Sequence, residues 1–390
     1  MEIPAKADVA IVGGGIVGLA VAYFLKALEP AIDVVVIERE AGYEHCSTLR
    51  ASGGCRVQFS CPENIEMSLF SIDFIRRFPQ TMAIPGREAP VDWVQGGYLF
   101  IVPGEYVAML EANFEVQRAH GCNVELLDPK GLAARFPSMH VDDLAAGVHT
   151  PDDGWCDPFQ LLQGFKRKAI DLGVKYVVDE VVALEVAGGA VRTARLASGA
   201  AIAASHFVNA AGAWSARIGA MAGMPLPIAP LRRFEHYFTC GNPMEKLPYV
   251  KDVQRLALRS EGKGFSGGLV DSNQARGFNF DVDHDYFERL VWPAAAHRFP
   301  PLESAKCHRT WAGLYEQCEL DGNPIIGSWP GTLDNFHVCA GFSGHGMMHA
   351  PAAGRAIAER IVGRDPSMDL SRLGYARVVE GSPYAERGIL

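Results

Sequence analysis

An apolar run that breaks into glycines and then resumes as a helix places the strongest constraint on this chain. Residues 8–12, DVAIV, have the composition of a buried strand. Gly13-Gly14-Gly15-Ile16-Val17-Gly18 follows with the spacing G-x-G-x-x-G, and Leu19–Leu28 continue with helical periodicity. A second strand, DVVVIE, ends at Glu38, twenty residues beyond Gly18. This order predicts a βαβ dinucleotide-binding unit. Gly13 permits the tight turn, Gly15 lets the backbone approach a pyrophosphate, and Gly18 lets helix and strand pack closely. The helix start at Ile16 and Val17 offers amides and a partial positive charge to the phosphates. Glu38 can accept from both ribose hydroxyls of an adenosine and would repel a 2′-phosphate, which disfavours NADP. The unit by itself does not choose between FAD and NAD.

More than three hundred residues later a second glycine-rich turn, AGFSGHGMMHAP (340–351), opens onto what reads as another helix. Its Gly, Ser and His residues stand where a packed helix would favour Leu or Ala. A net charge of −9 argues against nucleic acid and anionic membrane as general partners. The short basic clusters Lys166-Arg167-Lys168 and Arg232-Arg233 read as solvated faces. There is no run of eighteen apolar residues, so no membrane span is expected. The early glycine turn leaves no room for a secretory leader, and the nine scattered cysteines lack a C-x-x-C pair. A reduced, cytoplasmic setting is the expectation.

Between the two glycine clusters the pattern alternates. A helix is expected over about 62–78, a strand pair over 91–102 and a helix over 103–121. Asp157-Pro158 marks a helix start in DDGWCDPFQLLQGFKRKAIDLGV. A β-meander is expected from Lys175, its last strand running into Ala211-Gly212. Residues 231–240 and 253–282 alternate as an antiparallel sheet would. A strand over 336–340 and a helix over about 347–362 complete the chain. The fold class expected is α/β: a Rossmann-like nucleotide-binding domain interleaved with a second α+β domain on a mainly antiparallel sheet. The expected division gives 1–85, 146–220 and 321–390 to the first domain, and 86–145 and 221–320 to a substrate domain. The site should lie at their junction.

These motifs resemble one family over nearly the whole chain: the FAD-dependent oxidoreductases of the D-amino-acid oxidase and sarcosine oxidase group. The carriers are VAIVGGGIVGLAVAYFL with Glu38, NAAGAWSARIGAMAG, and DGNPIIG followed by AGFSGHGMMHAPAAGRAIAERI. More narrowly, DDGWCDPFQLLQGFKRKA, QFSCPENIEMSLFS and HDYFERLVWP are similar to the branch containing the mitochondrial FAD-dependent oxidoreductase domain-containing protein. The resemblance implies that the first glycine cluster grips the adenosine diphosphate of FAD and the late loop meets its isoalloxazine. It places Gly344, His345, Gly346 and Met347 by the flavin ring and ribityl chain, with Arg56 close to the ring. It places Val181, Ala211, Gly212 and Trp214 on the adenosine side and adds Arg39 to the cofactor set. Ser52, Gly53, Gly54 and Gly313 join the cofactor set.

The same resemblance implies flavin-dependent oxidation of a carbon beside nitrogen, giving an imine that hydrolyses to an aldehyde or keto acid plus an amine. The expected substrate is a secondary or tertiary amine of the N-substituted glycine type, with O2 or an electron-acceptor protein taking the electrons. Two other readings stay open: an assembly or chaperone-like flavoprotein with structural FAD, and a D-amino-acid or 2-hydroxy-acid oxidase. In WAGLYEQ, Tyr315 stands where some members of the family hold a carboxylate with Arg. Gly313 stands where others attach flavin through Cys, which implies non-covalent FAD. Met348 and Ser266 replace lysines of the sarcosine oxidases, so the site should lack both carboxylate clamps and an oxygen-activating cation. That loss favours a dehydrogenase over a fast oxidase. Arg56, Arg259, Tyr315 and His345 are the candidate catalytic residues, with Arg276 a further candidate for holding a carboxylate.

Three further patterns carry little chemistry. Gly264-Phe265-Ser266-Gly267-Gly268 fits the G-x-S-x-G elbow, but strand pattern follows where that motif needs a helix. His345 and His349 are spaced as a metal pair without a third ligand, and no metal is expected. Cys46, Cys55 and Cys61 have no metal spacing.

Overall fold

Eight residues of valine, isoleucine and alanine in the two opening strands are buried, so the sheet they form must be covered on both sides. In the computed structural model, which describes residues 3–252, 255–271 and 273–388, that sheet is parallel at its centre. Its order is Ile325–Trp329, Leu333–Ala340, Ala201–Asn209, Lys6–Val12, Val34–Glu38 and Lys175–Val178. Only the edge pair Ile325–Trp329 with Leu333–Ala340 is antiparallel along this path. The strands Val181–Ala187 and Ala190–Leu196 extend from Ala201–Asn209 as an antiparallel ribbon. The expected meander therefore starts one strand later, because Lys175–Val178 pairs in parallel with Val34–Glu38.

The helices on one face interlock through absent side chains. The first helix, Ile16–Leu28, crosses the late helix, Gly346–Ile361, where a Cβ on Gly354 would stand 2.7 Å from Ala20 Cβ and 2.8 Å from Val21 N. Helices Pro62–Arg76 and Pro158–Asp171 flank them, joined through Phe74 and Phe165 stacked at 5.6 Å. Asp157 caps the second of these, accepting from Phe159 N at 2.7 Å and Gln160 N at 3.0 Å, as Asp157-Pro158 predicted. Among the described residues, no helix is long and apolar enough to cross a membrane.

The second sheet has the order Lys306–Cys318, Ile228–Thr239, Gly264–Leu269, Leu256–Glu261, Tyr249–Asp252, Tyr98–Val102, Ala146–Thr150, Glu125–Leu127. It is antiparallel except where Tyr249–Asp252 runs parallel to Tyr98–Val102. Phe234, Phe238, Leu258 and Val250 pack one face against the helical stretch around Phe287 and Phe299. The other face looks towards the parallel sheet.

Several expected boundaries move. Ala146–Thr150, assigned from the sequence to the nucleotide-binding portion, pairs with Tyr98–Val102 in the second sheet. The strand pair over 91–102 is one strand, Tyr98–Val102: Asp92 and Gly97 take positive φ, and only Val94 bridges to Trp155. Residues 273–282 form no strand, and Val253, Gln254 and Ser272 lie outside the described residues. Asp271 and Asn279 accept from the amides two residues on, of Asn273 and Asp281, turns that compete with a ladder. Gly264–Leu269 is a strand throughout, which removes the elbow that a serine nucleophile requires.

The Gly354 contact yields a first prediction. Gly354→Leu should overpack the helix crossing and lower stability by about 1–3 kcal/mol. The check is the urea midpoint of unfolding, which should fall; an unchanged midpoint would show that the two helices are not held at this separation.

Candidate active site

The turn between the first strand and the first helix is held from both sides. Gly13 has φ +108° and donates its N–H to Ile37 O at 2.9 Å, while a Cβ there would overlap Ala210 O. A Cβ on Gly18 would overlap Gly13 O. Gly15 differs from both. A Cβ there would meet nothing closer than Cys46 Sγ at 3.7 Å, yet Gly15 lines the cavity. Protein packing therefore explains Gly13 and Gly18, and only a ligand lying against the turn explains Gly15.

Glu38 has a double duty that the sequence did not reveal. Its Oε2 accepts from Gly14 N at 2.7 Å and its Oε1 from Glu40 N at 3.0 Å, so it clamps the glycine turn as well as lining the cavity. Burial raises its pKa in spite of these bonds. Ile16 and Val17 line the cavity at the helix start, which has no side-chain cap beyond the bond from Ile16 N to Thr48 Oγ1 at 3.3 Å. Val181, Ala211 and Gly212 line the same end. Arg39 lies 3.8 Å from the centre of the Trp214 ring, which stacks on Phe278.

The cavity runs from this turn to the second sheet and has a volume of about 350 Å3, within the range of cofactor and small-molecule sites. Its far end is framed by Ser52, Gly53, Gly54 and Arg56 and by the late loop. In that loop Ser343 (φ +50°) and Gly344 (φ +105°) turn the chain into the helix that starts at Gly346. Ser343 Oγ accepts from Cys318 N at 2.9 Å, which holds the strained turn. Gly344 is required because a Cβ would overlap the Tyr315 ring. Gly346 and Met347 line the cavity at the helix start, where no side chain caps the helix.

His345 and His349 face each other through their Nδ1 atoms at 3.0 Å, and His349 Nε2 meets Ser68 Oγ at 2.9 Å. Burial depresses both pKa values, that of His345 to about 3, so both rings are neutral. His345 lines the cavity, and a hydrogen bond to the Gly322 backbone acts against burial on its ring.

The floor belongs to the second sheet, and its register decides which side chains meet. Lys251 pairs with Ala257, and Ala257 with Gly268. His236 pairs with Gly267, so Glu235 lies beside Gly268 on the same row. Arg233, two residues along, pairs with Gly313, and Tyr315 with Leu231. Arg233, Glu235, Lys251, Tyr249, Gly313 and Tyr315 all line the cavity. Burial lowers the pKa of Arg233 and raises those of Glu235 and Tyr315. Ser266 Oγ donates to Glu235 Oε1 at 2.7 Å, so Ser266 serves the floor as a hydroxyl.

This geometry corrects three expectations. Arg259 lies outside the cavity lining, with its guanidinium bound to Glu261 and, at 2.8 Å, to Ser52 O. Arg276 is exposed and pairs with Glu319 at 2.7 Å. Arg232-Arg233 is not a solvated face: Arg232 binds Gln274 and Asp281 O, while Arg233 turns into the cavity 5.2 Å from the Tyr315 ring. The cavity is thus not short of cations, since Arg56, Arg233 and Lys251 all line it. The alternation in LRRFEHYF was the available signal for Arg233 and Glu235. It shows that they share a face, but not that the face is covered.

A nucleotide-type glycine turn, an uncapped second helix start and a polar sheet floor around one cavity define a two-part flavin-dependent oxidoreductase. Residues 8–360 match the DAO family model, FAD dependent oxidoreductase, and the chain belongs to that family. It is 35% identical to FAD-dependent oxidoreductase domain-containing protein 1 of Xenopus laevis over 427 residues, covering 99% of this chain and 85% of that protein. The mitochondrial sarcosine dehydrogenase of Mus musculus is 27% identical over 406 residues, 94% of this chain and 41% of that one. The structure of L-proline dehydrogenase from P. horikoshii superposes with a TM-score of 0.86 at 27% identity, covering 98% and 100% of the two chains. The open space at Gly15 and the two helix starts without a side-chain cap fit FAD.

Two outcomes follow for the cofactor. Glu38→Gln should weaken FAD binding to the apoprotein by about 10- to 100-fold, the range for losing charge-assisted hydrogen bonds of about 1.5–3 kcal/mol. Flavin fluorescence on reconstitution measures this. Acid precipitation should leave all the flavin in the supernatant, because Gly313 carries no thiol to tether it.

Proposed function

We propose that the chain oxidises a secondary or tertiary amine bearing a carboxylate, an N-substituted glycine type of substrate. The observation that carries this reading is the set of cations, Arg56, Arg233 and Lys251, on the cavity wall at the end framed by the late glycine loop. The related sarcosine, dimethylglycine and L-proline dehydrogenases support it by the substrates in their names. Bound FAD supplies a hydride acceptor for the carbon beside the substrate nitrogen.

The protein's own part is placement and charge. The cations hold the carboxylate and so fix the neighbouring carbon. Glu235, one row from Arg233, can take up the proton that the amine must lose before its lone pair can assist. Tyr315, Tyr249 and Gly344 enclose the site, and the neutral His345 adds no competing charge. The imine released is hydrolysed by water to a carbonyl compound and the shorter amine. O2 or an electron-acceptor protein then restores the oxidant.

The test is anaerobic mixing of the holoprotein with sarcosine, dimethylglycine, iminodiacetate, proline, D-alanine and glycolate while following the visible flavin band. Bleaching by an N-substituted glycine is expected. Bleaching by glycolate alone would replace amine with hydroxy-acid oxidation, and bleaching by none would overturn the reading.

A pH dependence follows as well. Burial, and then Arg56 and Arg233 acting against Glu235, pull the Lys251 pKa down to about 8. The ammonium is present below that value and lost above it, so affinity for an inert carboxylate ligand should fall as the pH rises through it. Titration of the flavin spectrum with methoxyacetate checks this, and Lys251→Met should remove the step.

A further inference from the structure

Two segments that pack on the apolar cluster of the second sheet, 136–144 and the helix Trp292–Arg298, meet at His140, Asp143 and His297. None of the three lines the cavity. His297 Nε2 stands 3.2 Å from Asp143 Oδ2, and His140 Nε2 stands 3.9 Å from Asp143 Oδ1. The two imidazoles lie edge to face with 5.0 Å between ring centres. One ligand atom from each residue lies within 4.8 Å of the other two, the only such group of three among the described residues. A metal ion with bonds of roughly 2.0–2.2 Å to nitrogen and oxygen holds tetrahedral ligands about 3.4 Å apart. Shifts of about 1 Å or less in three partly exposed side chains reach that spacing.

The frame behind these ligands is fixed by one buried arginine, Arg298, which is 1% exposed. Its Nη1 donates to Asp143 Oδ1 at 2.7 Å and its Nη2 to Asp143 Oδ2 at 2.9 Å. The same Nη1 donates to His140 O at 2.5 Å, and His140 N donates back to Arg298 O at 2.8 Å. His297 is the next residue in the helix. Arg298 thus orients the carboxylate and the His140 backbone together, as the outer partners of metal ligands do. Each carboxylate oxygen has two lone pairs, so the guanidinium leaves one free on each. Arg298 Nε also donates to Asp252 Oδ2 at 2.8 Å, so its charge is divided between two carboxylates. The Arg298 and His297 bonds hold the Asp143 carboxyl well below the usual range, so it is ionised at neutral pH. Other histidines beside acids, His45 with Glu40 and His149 with Glu125, form pairs that lack a second imidazole.

We propose that His140, Asp143 and His297 bind a divalent transition-metal ion of the Zn2+ type, with solvent in its fourth position. Two imidazoles and one carboxylate suit Zn2+, and three protein ligands leave one place open. Mg2+ and Ca2+ favour sets of oxygen ligands and are poorly served here. The ion clips segment 136–144 to the helix Trp292–Arg298. The sequence carries no metal spacing for this site because His140 and His297 lie far apart in the chain. The proposal does not rest on the amine-oxidation reading.

The test uses the holoprotein, freed of any affinity tag and dialysed against EDTA and then against buffer. Equilibrium dialysis with ZnCl2 should show one more bound ion per chain in the wild type than in His140→Ala or His297→Ala. Each variant should weaken that binding at least about tenfold, with flavin content unchanged. ZnCl2 should raise the thermal midpoint of the wild type, and raise it less in either variant. MgCl2 at the same concentration should do neither. Equal zinc uptake by the wild type and the variants overturns the proposal, as does a wild type that binds no zinc. Loss of the ion in only one of the two variants overturns the three-ligand site. Equal uptake of Mg2+ overturns it too, because an acidic patch would then explain the binding without the imidazoles.

Discussion

The two halves of this protein meet through positions that have no side chain. A Cβ on Gly54 would overlap the Tyr98 hydroxyl and stand 2.8 Å from the Tyr249 ring; one on Gly344 would overlap the Tyr315 ring; one on Gly313 would stand 3.0 Å from Arg50 Cβ. In the first two pairs the glycine comes from the nucleotide-binding half and the ring from the second sheet. Close approach at these points shuts the polar face of the antiparallel sheet against the glycine loops. Everything in the cavity depends on that closure. It strips water from Arg233, Lys251 and Glu235, which on an open sheet would be ordinary surface residues.

Closure also sorts the titratable groups by what they can afford energetically in a dry site. For the two histidines burial outweighs the backbone hydrogen bonds to Gly322 and Asn64, so they stay neutral. Glu316 accepts from Gly341 N at 3.0 Å, and burial still pushes its pKa up to about 7. The arginines cannot discharge by losing a proton, so they remain cations that an anionic ligand would stabilise. Lys251 lies between these cases. A hydride-transfer site that binds carboxylates without titratable cations nearby would lack its response to pH.

Much of the nucleotide end was legible in the sequence, because its determinants are local. Gly13, Gly15, Gly18 and Glu38 lie within one βαβ unit, and their spacing follows from a single turn. The late loop was legible for the same reason, since Gly344, His345 and Gly346 precede a helix by one turn. Arg259 was misassigned because strand alternation puts it on the cavity face without showing that Ser52 O and Glu261 already hold its guanidinium. Arg233 and Lys251 were missed because nothing within a strand says whether its polar face meets water or another sheet.

By itself, the sequence determined the βαβ unit, the second glycine turn, the mainly antiparallel second sheet and the absence of a thiol at Gly313. Each follows from residues within a few positions of one another, where backbone sterics and hydrophobic periodicity act. Only the tertiary structure decided which charged side chains share the cavity. Lys251, Glu235, Arg233 and Arg56 come from two different strands and a loop, and they meet because strand register and the glycine contacts between the halves bring them there. Register and closure are long-range properties, set by how whole faces pack rather than by any local run of residues.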